Sequence, residues 1–239
     1  SDADGFVASV TLSGRTLYKD GDWNTLCLPF SLDHLTGTPL DKATVKTLAS
    51  TSFTGSTLTM NFTENLNAIE AGKPYIVRWE PVDLSKLTAN YTAQDGEVLT
   101  GTLSGIYKIS IAPGATVELQ DVTINGVHDY YANGNRWAGI NCIGDATIIL
   151  NGTNNVRGFN RNYPGIHVAV GSTLTIKGSG TLNASSNGFG AGIGGGDDIS
   201  CGNIVIEGGI INATGGGLAA GIGSGQYADC GYITITDGV

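Results

Sequence analysis

The chain is short of charge. Only 14% of its 239 residues are Asp, Glu, Lys or Arg, against about a quarter in an ordinary soluble domain. Basic residues are the scarcer kind, 12 against 21 acids, and the net charge is −9. Residues 1–81 carry −3 of it and residues 82–239 carry −6. With no basic face in prospect, nucleic acid is not an expected partner. Long apolar runs are missing too. None approaches the ~18 residues that span a bilayer, so no transmembrane segment is expected. No signal-peptide pattern opens the sequence, which fits a mature chain. Proline occurs 6 times and glycine does not recur at every third position, which excludes collagen. The four cysteines, Cys27, Cys142, Cys201 and Cys230, are too sparse for a disulfide scaffold. They form no CxxC pair, so a zinc ribbon and a thioredoxin-like site are set aside. The three histidines, His34, His128 and His167, sit in no HExxH pattern. No EF-hand loop or nucleophile elbow occurs, and no catalytic residue is nominated.

Glycine, by contrast, is abundant and uneven: residues 1–81 hold 6 and residues 82–239 hold 31. The hydrophobic share, 41%, rules out a disordered polar chain. The preference for Thr, Asn and Gly over Lys and Glu suits a secreted all-β protein.

Residues 1–81 read as short strands between turns. Alternating runs cover 6–12, 23–30, 45–48, 57–62 and 74–79. β-Branched enrichment and period-2 alternation favour strands, and the spacing suggests a small β-sandwich-like domain. Trp23, Phe30, Phe53, Phe62, Tyr75 and Trp79 would supply its core, with Cys27 a buried free thiol.

Residues 82–239 are a repeat. Ala138-Gly139-Ile140, Pro164-Gly165-Ile166, Ala191-Gly192-Ile193 and Ala220-Gly221-Ile222 superimpose at steps of 26, 27 and 29 residues. A second column ends at Leu119, Leu150, Ile176, Ile206 and Ile235, at steps of 31, 26, 30 and 29. No repeat holds a helical pattern, which disfavours helical and βαβ repeats, and ~29 residues are too few for a propeller blade. The expected fold is therefore all-β: the N-terminal domain caps a right-handed parallel β-helix of about five coils, one repeat per coil. Asn183-Ala184 recurs as Asn212-Ala213, which suggests an amide ladder. Cys201 and Cys230 stand 29 apart and should meet in adjacent coils; a disulfide and a pair of thiols both fit. The last column residue falls four from Val239, so the natural protein is expected to continue, with further domains there, or to meet a partner.

Three sets of residues could carry chemistry. Gly190-Ala191-Gly192-Ile193-Gly194-Gly195 matches GxGxxG, but no helix follows to receive a pyrophosphate. Asp197, Asp198 and Asp229 offer a weak surface calcium site, calcium being the one cofactor they would suit; solvated turn carboxylates are the plainer reading. Most distinctive is the aromatic, arginine-bearing stretch 128–167. It holds His128-Asp129-Tyr130-Tyr131, Asn135-Arg136-Trp137 and Arg161-Asn162-Tyr163. Trp137 and Tyr163 each precede a repeat glycine by two residues, so they should stack in adjacent coils. Such aromatics, with Tyr130, Tyr131, Arg136 and Arg161, would form a flat platform for a glycan; packing into a loop-covered satellite core is the competing reading.

Two further segments resemble a Bacteroidales cell-surface architecture. One is Asp22-Trp23-Asn24-Thr25-Leu26-Cys27-Leu28-Pro29-Phe30 and the other is Ile69-Glu70-Ala71-Gly72-Lys73-Pro74-Tyr75-Ile76-Val77. The repeats, as in Ala191-Gly192-Ile193-Gly194-Gly195-Gly196 and Cys201-Gly202-Asn203-Ile204-Val205-Ile206, look like the Gly-rich pectate-lyase-like repeats of the same organisms. The resemblance implies export to the cell surface or medium and a binding or adhesive role toward polysaccharide or a host or bacterial surface glycan. The leading expectation is thus a non-catalytic glycan-binding module. The alternatives are a lyase or hydrolase of acidic polysaccharide, and a structural stalk or protein-binding adhesin.

Overall fold

The computed structural model describes residues 17–19, 21–126 and 136–236. The chain divides after Trp79 into two units. Among the described residues it is nearly all-β, with one 3₁₀ turn, at Leu84–Lys86. No helix among the described residues is long and apolar enough to cross a membrane.

The first unit is an antiparallel β region. Its strands are β1 (Asn24–Cys27), β2 (Thr44–Lys46), β3 (Leu48–Thr54), β4 (Thr57–Phe62) and β5 (Pro74–Arg78). β1, β5 and β2 form one antiparallel sheet in that order. Leu26, Leu28, Val45, Ile69, Tyr75 and Trp79 make its core, and the Trp79 indole N–H donates to the Asp41 carbonyl at 2.9 Å. Among the described residues β3 and β4 pair only with each other. Every residue of that hairpin is exposed, and no described strand forms a second layer on either of its faces. Phe53 and Phe62, expected in the core, are therefore outside it, and so is Trp23. Cys27 is also exposed: β1 turns Leu26 and Leu28 inward, and strict alternation sends the residue between them out. The run at 6–12 lies outside the described residues.

The second unit is a parallel β-solenoid of about four turns. It opens with β6 (Val82–Asp83), β7 (Tyr91–Ala93) and β8 (Val98–Thr102), followed by β9 (Ile109–Ile111), β10 (Ala115–Ile124) and β11 (Ile140–Cys142). Then come β12 (Ala146–Asn151), β13 (Thr153–Arg157), β14 (Ile166–Val168), β15 (Thr173–Gly178) and β16 (Thr181–Ser185). The last are β17 (Ile193–Gly194), β18 (Asn203–Ile206), β19 (Ile210–Thr214), β20 (Ile222–Gly223) and β21 (Ile233–Ile235). Full turns begin at Ile109, Ile140, Ile166 and Ile193, and a partial one at Ile222.

Each full turn contributes to three stacks. One is the sheet β7-β9-β11-β14-β17-β20, through which Ile109, Ile140, Ile166, Ile193 and Ile222 run in register. The second joins β8, β10, β12, β15, β18 and β21. The third joins the end of β10 to β13, β16 and β19. Isoleucine, leucine and valine from all three fill the bore, where burying one such side chain is worth about 1.5–3 kcal/mol.

The superposition at Ile140, Ile166, Ile193 and Ile222 is the observed register. The second column needs a correction. Leu150 lies against Gly178 rather than Ile176, and Ile148 is the partner of Ile176. The true column is Val117, Ile148, Ile176, Ile206 and Ile235. A slip of two residues keeps every side chain on its own face, so the apolar pattern alone does not detect it. Glycine is demanded where turns touch: Gly194 has φ +133° and Gly223 φ +130°, and a Cβ on Gly194 would strike the Gly223 carbonyl.

Candidate functional site

Trp137 and Tyr163 lie in loops that lead into the isoleucine column. Tyr130 and Tyr131, with His128, Asp129 and Asn135, lie outside the described residues. Arg136 is exposed. The Gly139 N–H donates to the Pro164 carbonyl, and Ile140 faces Ile166, which sets Trp137 and Tyr163 at equivalent places on neighbouring turns. Trp137, however, is half-buried and packs against the bore cluster. Its ring lies 5.9 Å from that of buried Phe159, tilted by 49°, and its indole nitrogen is buried with no hydrogen-bond partner. The ring thus serves a satellite of the core on at least one side.

Arg161 and Tyr163 stand on a rim made by successive loops. The Arg161 guanidinium sits 4.9 Å above the Phe189 ring, a cation–π arrangement. Its Nε donates to Asn162 Oδ1 at 3.2 Å. The backbone braces the same place: Phe189 N–H donates to the Arg161 carbonyl at 2.6 Å, and Asp197 N–H to the Asn162 carbonyl at 2.8 Å. Phe189 went unnoticed in the sequence; its place one turn after Asn162, by the Ile166 to Ile193 register, was the available signal. The ring beneath it and the Asn162 contact hold the planar guanidinium in one orientation.

The acids are arranged differently. Asp198 and Asp229 are exposed and Asp197 is half-buried. Their main chains tie loops together, Asp198 N–H donating to the Gln226 carbonyl and Asp229 N–H to Ser200 Oγ. No group of three or more His, Cys, Asp or Glu side chains able to hold a metal ion is found among the described residues. Beside these acids Cys201 and Cys230 are joined as a disulfide, with Cα atoms 4.6 Å apart, across a parallel bridge between adjacent turns.

His167 points outward from β14, in register with Asn141, and is half-buried. Burial holds its imidazole below the ordinary value of 6.5, and Lys108 acts in the same sense against a backbone hydrogen bond with Ser200. Its Nε2 is buried without a partner.

The third stack carries a polar face. Asn155, Asn183 and Asn212 are in register on successive turns. Asn212 Nδ2 donates to Asn183 Oδ1, and Asn183 Nδ2 to Asn155 Oδ1, each at 2.9 Å. The sequence had suggested two rungs of this ladder; Asn155 is the third.

These features define the class as a parallel β-solenoid whose outward side chains are mostly uncharged. In comparisons with protein-family models, curated proteins and solved structures, nothing matches the chain.

Proposed function

We propose that the chain is a non-catalytic, exported surface module that binds glycan through the rim at residues 161–163 and 189. The observation that carries this is Arg161, laid over Phe189 and braced by Asn162. Its guanidinium is ordered before any ligand arrives, so little side-chain entropy is lost on binding. Tyr163 adds an aromatic edge beside it. Export and attachment to a larger surface protein follow from the resemblance of residues 22–30 and 69–77 to Bacteroidales surface proteins, and the repeats fit a pectate-lyase-like relative of that group. The lyase and hydrolase readings have no comparable observation behind them.

The test is a glycan array with the wild-type chain, Arg161→Ala, Arg161→Lys and Tyr163→Ala. Retention should fall about tenfold in Arg161→Ala, the scale of one charge-assisted hydrogen bond. Arg161→Lys keeps the charge but loses the fork, and should recover little. Equal retention by all four proteins would remove the rim from the account.

A protein-binding adhesin is the second reading, and the hairpin favours it. Leu58, Met60 and Phe62 alternate onto one face of β4, with Phe53 opposite Leu58 and Leu48 opposite Phe62; all five are exposed, Phe53 by 71%. Contiguous apolar surface of this kind marks interaction sites. Silence on glycans, with saturable binding to a protein that Leu58→Ser and Met60→Ser abolish, would select it.

A further inference from the structure

A different surface of the solenoid carries a second ligand-binding assignment, and it does not rest on the rim. On the outward side of β13, β16 and β19 three rows run along the solenoid axis. Thr153, Thr181 and Ile210 form the first row, Asn155, Asn183 and Asn212 the second, and Arg157, Ser185 and Thr214 the third. Their intervening neighbours, Val156, Leu182 and Ala184 among them, face the bore, so the backbone itself fixes the nine positions on the outside.

The geometry is regular. Neighbouring turns stack at about 4.8 Å, and alternate residues on one strand are about 6.7 Å apart. The amide ladder stops the central row from rotating, because each amide is committed to its neighbour. Asn183 spends one amide hydrogen on Asn155 and accepts one from Asn212, which leaves one N–H and one lone pair for a ligand. The face therefore presents donors and acceptors together, already oriented, beside the hydroxyls of Thr181, Ser185 and Thr214.

Charge narrows the occupant. None of the nine positions is acidic, and the one cation is at the border. With the Asn187 amide oriented so that its oxygen faces the guanidinium, Arg157 donates Nη2 and Nε to it. The chain as a whole carries −9, which opposes a polyanion. We infer that this face binds a neutral polysaccharide lying along the solenoid axis, its hydroxyls meeting successive rungs of the Asn155, Asn183 and Asn212 ladder.

Affinity electrophoresis of the full chain tests it, with gels containing a neutral β-glucan, a neutral mannan or polygalacturonate. A neutral gel should retard the wild-type chain. Asn183→Ala should weaken that retardation about tenfold, the effect of one or two lost hydrogen bonds. Thr181→Val combined with Ser185→Ala removes two flanking hydroxyls without touching the ladder and should weaken it as well, so the test survives if Asn183→Ala fails to fold. Thr175→Ala, outward on the neighbouring stack of β12 and β15, should leave neutral-gel retardation unchanged. Failure of both neutral gels to retard the chain, retardation by polygalacturonate alone, or full retardation of the Thr181→Val, Ser185→Ala protein would overturn the inference.

Discussion

The hairpin β3–β4 and the solenoid strands have the same alternating pattern of apolar and polar residues, yet they end in opposite environments. Leu58, Met60 and Phe62 stand in solvent, while Val117, Ile148 and Ile176 are sealed in the bore. Alternation makes a strand two-faced, but burial needs a second layer. The solenoid supplies its own by bringing the chain back after 26 to 31 residues, so each turn covers the last. The hairpin pairs only with itself, and two strands alone are marginal in water.

The sharpest way to break this comparison is by truncation at matched positions. Ile148→Ala should cost the solenoid about 2–5 kcal/mol in denaturant unfolding, through lost transfer energy and a residual cavity. Leu58→Ala should stay within about 0.5 kcal/mol. Equal costs would mean that the hairpin is covered in solution.

A loss within the same range is expected at the Cys201–Cys230 disulfide. It closes a loop with a sequence separation of 29, and its reduction should remove about 3.6 kcal/mol by the chain-entropy model. The loss should fall on the solenoid transition and spare that of the N-terminal unit. Thiol titration of the unfolded, unreduced chain should count Cys27 and Cys142 only; four thiols would contradict the bridge. In the native chain Cys27 should react and Cys142 should not, since burial pushes the Cys142 thiol up to about 12.

The smallest effect concerns pH. His167 has its folded pKa depressed below the unfolded 6.5, so the native state binds fewer protons than the unfolded chain. Its contribution is complete above pH 6.5 and is lost as pH falls through the folded value. His167→Gln should flatten the acid limb of the solenoid's stability profile. An unchanged limb would show that the imbalance lies elsewhere.

Much of the solenoid was legible in the sequence because a repeat writes its register twice. The Ile140, Ile166, Ile193 and Ile222 column came from glycine-flanked tripeptides that tolerate no slip. The Leu150 to Ile176 match failed because nothing in an alternating run distinguishes a register from its two-residue neighbour. Phe53, Phe62 and Cys27 were misplaced for another reason: the outer layer of a sheet is a tertiary fact that alternation does not encode. At the candidate site, Arg161 and Tyr163 could be named from spacing. Arg161 lying over Phe189 could not, because that contact crosses a whole turn. Asn155 was within reach, 28 residues before Asn183, and needed only the ladder to be extended by one repeat.

The measurement closest to the central claim is equilibrium retention of the full chain on a glycan array, with the eluted glycans sized afterwards. The account predicts saturable retention that weakens in Arg161→Ala, and glycans recovered at their original length. Shortened glycans, or no retention on any of them, would contradict it.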